Sequence, residues 1–555
     1  MFSKILIANR GEIAVRVIRA CRGLGIPSVA IYSEADRDAL HVRYADEAVC
    51  CGPARATESY LNAERIVELA REVGADAIHP GYGFLSENAG FAEVVQAAGI
   101  TFIGPSPEVI RAMGLKIASR ERMIEAGVPV VPGGDRIEDI ATARQVAGER
   151  GDPVLVTASA GGAGRGRRRV DAEDELESAL ARAASEAEAA FGDGAIYLEK
   201  LLAGPRHIEI QVLADRDGHT IHLGERECSI QRRHQKLVEE APAYGMTPEL
   251  RSAMGEAAVR AARAVGYEGA GTCEFLMDAS GAFYFLEMNT RIQVEHPVTE
   301  AVTGVDLVDW QIRIAAGEPL ALAQEDIALE GHAIEVRIYA EYPDKGFVPS
   351  PGPIVAWSAP SGTGVRLDSG FDGGQVVTPH YDPMIAKLIV SGGDRDEALA
   401  RLEGALAEFT IAGLRTGLPF LRRICANPRF RKGAYDTGFI EQEMAAPPPL
   451  EPELVDQIFA LIARRAVPEG SATLRITLPK QEPVVAEVVD DEEGICVQLD
   501  GRKVELDVGD LGGPIVNVLC DGAPQTWTLV ERKPGVVDVG LRDRVIRVKV
   551  QAEAS

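Results

Sequence analysis

Short apolar runs alternate with helical patterns through the first part of the chain. "KILIA" is followed by "EIAVRVIRACRGLG", whose apolar residues fall at helical spacing, and then by "SVAIYS", "AERIVELAREVG", "AIHPGY", "FAEVVQAAG" and "TFIG". Strand-length runs separated by amphipathic helices with glycine stops predict a parallel sheet of βαβ units. The first turn, "ANRGEIA", lacks the G-x-G-x-x-G spacing, so the usual dinucleotide-binding unit is not expected. From about Ser106 to Pro319 helices mix with longer strand pairs such as "HIEIQVLADRDGHTIHLGE". From about Ile327 to Met444 the pattern is β-rich, with one helical stretch, "RDEALARLEGALAEF". "EMAAPPPLEPE" then breaks the periodicity, and its consecutive prolines between acids predict a stiff linker. Beyond it, "LVDQIFALIARRA" reads as one amphipathic helix. Short alternating strands with turns at "LDGRK", "CDGAP" and "RKPG" predict a small antiparallel barrel or sandwich. The fold class is therefore multidomain, α/β and α+β.

Composition narrows the partners. With 555 residues, 46% of them apolar, several domains with substantial cores are expected. A net charge of −26 argues against nucleic acid and against an anionic membrane surface, but leaves a small anionic ligand open. The eight cysteines show no C-x-x-C spacing, which predicts reduced thiols rather than a metal cluster. No apolar run approaches the roughly 20 residues of a membrane span, and the N-terminus has no secretory h-region. A cytoplasmic protein is expected.

Candidate chemistry is densest in "CEFLMDASGAFYFLEMNTRIQVEHPVTE". A turn at "DASG" would bring Glu274 nearly opposite Glu287 in a hairpin. Like charges so placed destabilise a sheet unless a divalent cation lies between them, and carboxylate and amide oxygens suit Mg²⁺. Asn289, Arg291, Gln293 and Glu295 continue the parity of Glu287, so an extended backbone would line one surface with all five. The rival reading is a strand with an ordinary solvated polar face. Elsewhere, "RRHQK" offers His234 and Lys236 for anions, "HAIEVRIYAE" places Glu335 and Arg337 on one face, and "HPGYGFLSENA" carries Tyr82 and Glu87. "GDPVLVTASAGGAGRGRRRV" supplies Gly161, Gly162, Gly164 and Gly166, whose backbone N–H groups could approach phosphate. The apolar run before that loop ends in the uncharged Thr157.

These words together identify a resemblance. From Met1 to about Met444 the sequence resembles the biotin carboxylase family of ATP-grasp ligases. "KILIANRGEIAVRVIRAC", "HPGYGFLSENA", "FIGPS", "PRHIEIQV", "ERECSIQRRHQKLVEEAP", "EFLMD", "FLEMNTRIQVEHPVTE", "HAIEVRIYAE" and "YDPMIAKL" carry it. The resemblance implies a biotin carboxylase N-terminal domain at 1–113 and an ATP-grasp domain at 114–326, with a lid at about 130–203. A β-rich C-terminal carboxylase domain at 327–444, a linker at 445–453 and a helix-plus-β-barrel docking domain at 454–555 would follow. It implies ATP- and bicarbonate-dependent carboxylation of biotin, the first half-reaction of an acyl-CoA carboxylase of the acetyl- or propionyl-CoA type.

Carried over by position, Glu274, Glu287 and Asn289 would hold Mg²⁺ or Mn²⁺. Lys116, Gly162, Gly164, His207, Gln231 and His234 would contact ATP, and Glu199, Lys200 and Leu202 would read adenine. Lys236, Arg291, Gln293 and Val294 would form the bicarbonate pocket, with Glu295 as general base. Arg337 would stabilise the biotin enolate, and Tyr82 would border the biotin. The biotin is expected on a separate carrier protein, because 454–555 holds no "AMKM"-like hairpin. The implied partners are that biotin carboxyl carrier protein, the carboxyltransferase subunit, and a second copy of the chain or a larger complex. Thr157 stands where the family has lysine, Ala160 and Ala163 thin the glycine loop, Arg167 replaces a methionine and Leu115 a polar residue. Two alternatives therefore accompany the main reading: a weakened or non-catalytic paralogue with a structural or regulatory role, and an ATP-grasp ligase with another acceptor.

Overall fold

The protein is described from a computed structural model, which covers all residues except 138–139, 151–153, 159–166, 171–172, 192–194, 445–446, 448, 480, 492–493, 505, 510, 521–522 and 554–555. The glycine loop, with Gly162 and Gly164, lies outside the described residues, as does part of the proline-rich run.

Five parallel strands open the chain: β1 (Ile5–Ile7), β2 (Ser28–Ser33), β3 (Glu47–Gly52), β4 (Ala77–His79) and β5 (Thr101–Phe102), in the order β3-β2-β1-β4-β5. The expected βαβ pattern is present. The edge strand β3, "EAVCCG", escapes the apolar pattern, because its acid and cysteines interrupt the signal. Helix α1 (Gly11–Gly23) buries Ile13, Val17 and Ile18 below the sheet. The strand order reverses between β1 and β4, and ligands of open α/β sheets gather at the carboxyl ends of such strands. There Asn9 Nδ2 donates to the carbonyls of Pro80 and Tyr82 at 2.7 and 2.8 Å. Gly81 sits at φ +61°, and a Cβ on it would meet that Nδ2 at 2.9 Å, so glycine is required for the turn that presents Tyr82.

A four-stranded sheet follows, β6 (Gly133–Arg136), β7 (Val154–Ala158), β8 (Arg167–Val170) and β9 (Ile196–Lys200), ordered β6-β9-β7-β8. In its ladder Thr157 pairs with Arg167 on one side and Tyr197 on the other. The central sheet has eight strands. β10 (Arg206–Ala214), β11 (Thr220–Arg232), β12 (Gln235–Ala241), β13 (Gly269–Met277), β14 (Phe283–Asn289) and β15 (His332–Tyr339) are joined by the strands Met384–Gly392 and Val365–Ser369. The order is β14-β13-β10-β11-β12-β15, then Met384–Gly392 and Val365–Ser369. The helix Pro248–Ala264 lays an alanine stripe, Ala257, Ala258, Ala261 and Ala262, against this sheet beside Ile208, Ile210 and Phe275. Small side chains let helix and sheet approach closely, which suits interior packing at near-crystalline density.

Between Ala472 and Ala552 the described residues form one sheet of nine antiparallel strands. It curls around the helix Pro452–Ala466, whose residues Ile458 to Ala463 are all buried. A helix covered on every side must be encircled, since a surface helix buries only a stripe. The two edge strands, Arg502–Val504 and Asp507–Val508, follow one another in the chain. The expected helix and barrel-like strands are thus observed. No helix among the described residues is long and apolar enough to cross a membrane.

Candidate active site

The hairpin β13–β14 places Glu274 directly across the ladder from Glu287, and Asn289 across from Thr272. The turn at Asp278–Ala282 closes the hairpin: Asp278 Oδ1 accepts from Ser280 and Ala282 N–H, and Gly281 N–H donates to the Asp278 carbonyl. A register shift between Glu274 and Phe275 then brings Glu287, rather than Leu286, opposite Glu274. The extended backbone expected beyond Asn289 is not observed. The strand ends there, residues 290–295 turn, and Glu295 precedes the helix His296–Thr303, with Pro297 in its first turn. The carboxylate of Glu87 holds the start of this turn, accepting from Thr290 N–H at 3.2 Å and Arg291 Nε at 2.9 Å. The alternating residues converge through a turn instead of along one strand face.

Asn289 and Gln293 reach Glu274, and Glu274 and Glu295 both meet Lys236. Its ammonium donates to Glu209 Oε2 at 2.5 Å, Glu274 Oε1 at 2.9 Å and Glu295 Oε1 at 2.5 Å, which uses all three of its protons. Glu274 Oε1 also accepts from Asn289 Nδ2 at 2.9 Å and Gln293 Nε2 at 2.7 Å, while His207 Nε2 lies 3.1 Å from Oε2. Arg337 donates to Glu295 Oε2 at 2.8 Å, and its Nε lies 2.7 Å from Glu239. Arg291 donates to Asn289 Oδ1 at 2.9 Å. Glu295 is 2% exposed. Burial alone would favour its neutral acid form, but Lys236, Arg337 and Arg226 overcome that penalty and hold its carboxyl well below the usual range. Against the same burial penalty, Lys236 and His207 hold Glu274 low. The Lys236 ammonium is desolvated, yet Glu209, Glu274 and Glu295 keep it protonated far above its ordinary range.

Beside this cluster lies a cleft of about 320 Å³, lined by Tyr197 and Glu199 on β9, by Glu287 and Asn289 on β14 and by Arg291. It links part of the expected adenine-reading segment to the expected metal residues. Other predicted positions lie apart. Lys200 is exposed at the end of β9, and Leu202 is half-buried just beyond it. Lys116 begins the helix Lys116–Glu125, and its side chain lies outside the described residues. Gln231 is buried and pairs with Lys236, whereas His234 is exposed in the two-residue turn between β11 and β12. Both turn residues, Arg233 and His234, take positive φ, +48° and +68°, a conformation that hairpin turns require and non-glycine residues adopt at a cost. Tyr82 is half-buried, with its hydroxyl shielded from solvent.

Sequence reading missed four groups that build the site. Arg226 is fully buried, and its five N–H donors meet Glu209, Gln211, Thr299, Thr272 and Gln293 at 2.5 to 3.2 Å. Glu209 shares Lys236, Glu239 shares Arg337, and Lys387 supports the 290–295 turn from below. A signal existed in "RHIEIQV", where His207, Glu209 and Gln211 interrupt an otherwise apolar strand at every second position.

Three family models match: "Biotin carboxylase, N-terminal domain" over 1–110, "Carbamoyl-phosphate synthase L chain, ATP binding domain" over 116–323 and "Biotin carboxylase C-terminal domain" over 335–442. The chain is 55% identical over 443 residues to biotin carboxylase 1 of Bacillus subtilis, covering 80% of this chain and 98% of that protein. The chain belongs to the biotin carboxylase family. The biotin carboxylase of Haemophilus influenzae is 53% identical over 446 residues, which cover 80% of this chain and 99% of that one. Among solved structures, the biotin carboxylase domain dimer of Hydrogenobacter thermophilus 2-oxoglutarate carboxylase, in complex with MgADP, ADP and bicarbonate, superposes with a TM-score of 0.77 at 53% identity, covering 81% of this chain and all of that one. The biotin carboxylase models end at residue 442, before the C-terminal sheet.

Proposed function

We propose that this chain carboxylates biotin at the expense of ATP, with bicarbonate as the carbon source and the Lys236–Glu295–Arg337 cluster as its reacting centre. The observation that carries the reading is Glu295, an ionised carboxylate held between two buried cations in the turn that also presents Gln293. Bicarbonate entering beside Arg291, Gln293 and the Val294 backbone brings a like charge toward Glu295 and draws on Lys236, and both effects raise the basicity of Glu295. Glu295 then takes the bicarbonate proton, and the freed oxygen attacks the γ-phosphorus as ADP departs. Carboxyphosphate breaks down to CO₂ and phosphate, the phosphate accepts the biotin N1 proton, and N1 then bonds to the CO₂ carbon to give carboxybiotin. Arg337, fixed by Glu239, faces the ureido oxygen as charge develops there, with Tyr82 beside the ring.

The donor set of two carboxylates and an amide across one ladder fits Mg²⁺, which would neutralise phosphate charge when bound by Glu274, Glu287 and Asn289. Lys116, Gly162, Gly164, His207, Gln231 and His234 are assigned to the nucleotide, and Glu199, Lys200 and Leu202 to adenine. In the same reading the units are 1–113, 114–326 and 327–444, with 445–453 joining them to 454–555. Biotin arrives on a separate cytoplasmic carrier, the chain pairs with a second copy, and the C-terminal sheet docks on a carboxyltransferase subunit.

The test is ADP release by the purified chain with free biotin, Mg²⁺ and millimolar ATP. Bicarbonate-dependent release is expected, and Glu295→Gln should lower it by about 10² to 10⁴ with ATP binding kept. Absence of any bicarbonate-dependent release in the unaltered protein would favour the second reading, a non-catalytic paralogue, for which Thr157 is the supporting observation.

A further inference from the structure

Residues 290–295 carry most of the proposed bicarbonate pocket, yet they have left the sheet and have no ladder partner among the described residues. Side chains from other elements hold them: Glu87 at Thr290 and Arg291, Arg226 at Gln293, and Lys236 and Arg337 at Glu295. Between Gln293 and Glu295 the main chain itself is gripped from beneath. Lys387, 0% exposed, donates from Nζ to the Val294 carbonyl at 2.7 Å.

The surroundings of Lys387 are unusual for a residue with only a packing role. It sits in the strand Met384–Gly392, paired in the ladder with Arg337 on one side and Asp368 on the other. Its nearest carboxylate, Glu12 Oε2, lies 3.3 Å away, farther than the carbonyl. A buried ammonium ordinarily seeks the closest contact with its counter-ion, because its desolvation is costly. Here the shorter bond goes to a neutral carbonyl in the bicarbonate turn. Glu12 belongs to the first turn of α1, which reaches this depth because Gly370 is opposite; a Cβ there would meet the Glu12 nitrogen at 2.8 Å. The same ammonium lies 6.0 Å from the Tyr82 ring centroid. One cation therefore contacts the N-terminal sheet's helix and the turn assigned to bicarbonate, and lies near the aromatic assigned to biotin. Being opposite Arg337 in the ladder, its like charge also repels that guanidinium away from the strand Met384–Gly392, toward Glu239 and Glu295.

We propose that Lys387 is a positioning residue for the bicarbonate turn, fixing the Val294 main chain so that Gln293 and Glu295 keep their orientations, with the buried Glu12 carboxyl beside it. The inference rests on the function proposed above.

Two measurements on the full chain test it. In steady-state assays Lys387→Met should raise the bicarbonate KM at least tenfold while the ATP KM moves less than twofold; a residue needed only for folding would lower the yield of active protein and leave both constants alone. Hydrogen–deuterium exchange of the peptide spanning 290–296 should quicken at least tenfold in the variant, with the C-terminal sheet unchanged. This second arm reads the turn whether or not the protein turns over, so an inactive wild-type enzyme defeats the functional reading without deciding this one. If Lys387→Met does not accumulate folded, Glu12→Gln replaces it, with a threefold or greater rise in bicarbonate KM or in exchange of 290–296 expected. Unchanged exchange together with an unchanged bicarbonate KM overturns the proposal.

Discussion

Thr157 stands where the resemblance leads one to expect a charged residue. The resemblance places a phosphate-contacting lysine at that point of β7, and threonine carries no charge. One lost charge-assisted contact corresponds to about 1.5–3 kcal/mol. Thr157→Lys should therefore tighten ATP binding about ten- to a hundredfold by calorimetry. An unchanged affinity would mean that another cation already serves, and Arg167, its ladder partner, is the first to exchange next. At this scale the sequence was an uneven guide. The near-opposition of Glu274 and Glu287 could be read from the short turn, but the register shift beside Phe275 that brings them directly opposite could not. Arg226 could not, since its acceptors come from β10, β13, the 290–295 turn and the following helix, which only the finished fold brings together.

Single elements serve two purposes at once, and β12 shows how. While Lys236 and Glu239 reach the proposed reacting centre, Glu240 accepts from His332 Nε2 at 2.6 Å, Arg395 Nε at 2.7 Å and the Tyr435 hydroxyl. Burial opposes its charge, but His332 and Arg395 outweigh that and bring its carboxyl down to about 2 from an ordinary 4.5. A depressed acid stabilises the fold above its unfolded pKa, and that contribution is lost as pH falls through the folded value. The difference corresponds to about 3 kcal/mol. The stability gap between the wild type and Glu240→Gln should be full near neutrality and close between about pH 4.5 and pH 2, followed by denaturant unfolding. A gap independent of pH over that window would contradict the assignment. The polar alternation after Glu287 was legible as a cluster but not as a turn. Parity assumes extended backbone, whereas Pro297 and the ties to Glu87 favour leaving the strand at Asn289.

Across the whole molecule, the C-terminal sheet is joined to the rest by a buried acid. Asp538 accepts from Arg415 at 3.1 Å, Arg532 at 2.7 Å and Arg547 at 2.8 Å; only Arg415 belongs to the main body, where its guanidinium also lies 5.1 Å from the Tyr342 ring. Arg422 and Arg423 add bonds to the carbonyls of Arg542 and Asp543. Removing the shared acid leaves three guanidinium groups facing an amide, and breaking such a pair costs about 3 kcal/mol or more. Asp538→Asn should make the chain at 445–453 at least tenfold more sensitive to limited proteolysis. Equal cleavage rates would show that the sheet is held by other contacts. The helix and short strands of this region were readable from their periodicity, but its placement depends on side chains more than a hundred positions apart.

The edges of that nine-stranded sheet determine how anything can recognise it. Its outermost strands are two and three residues long, and the chain runs directly from one to the other. Extension of the ladder by a visiting peptide needs a longer open edge than this. Any partner of this sheet would therefore read its convex face through side chains and loop tips, where exposed residues can vary without disturbing the helix held inside.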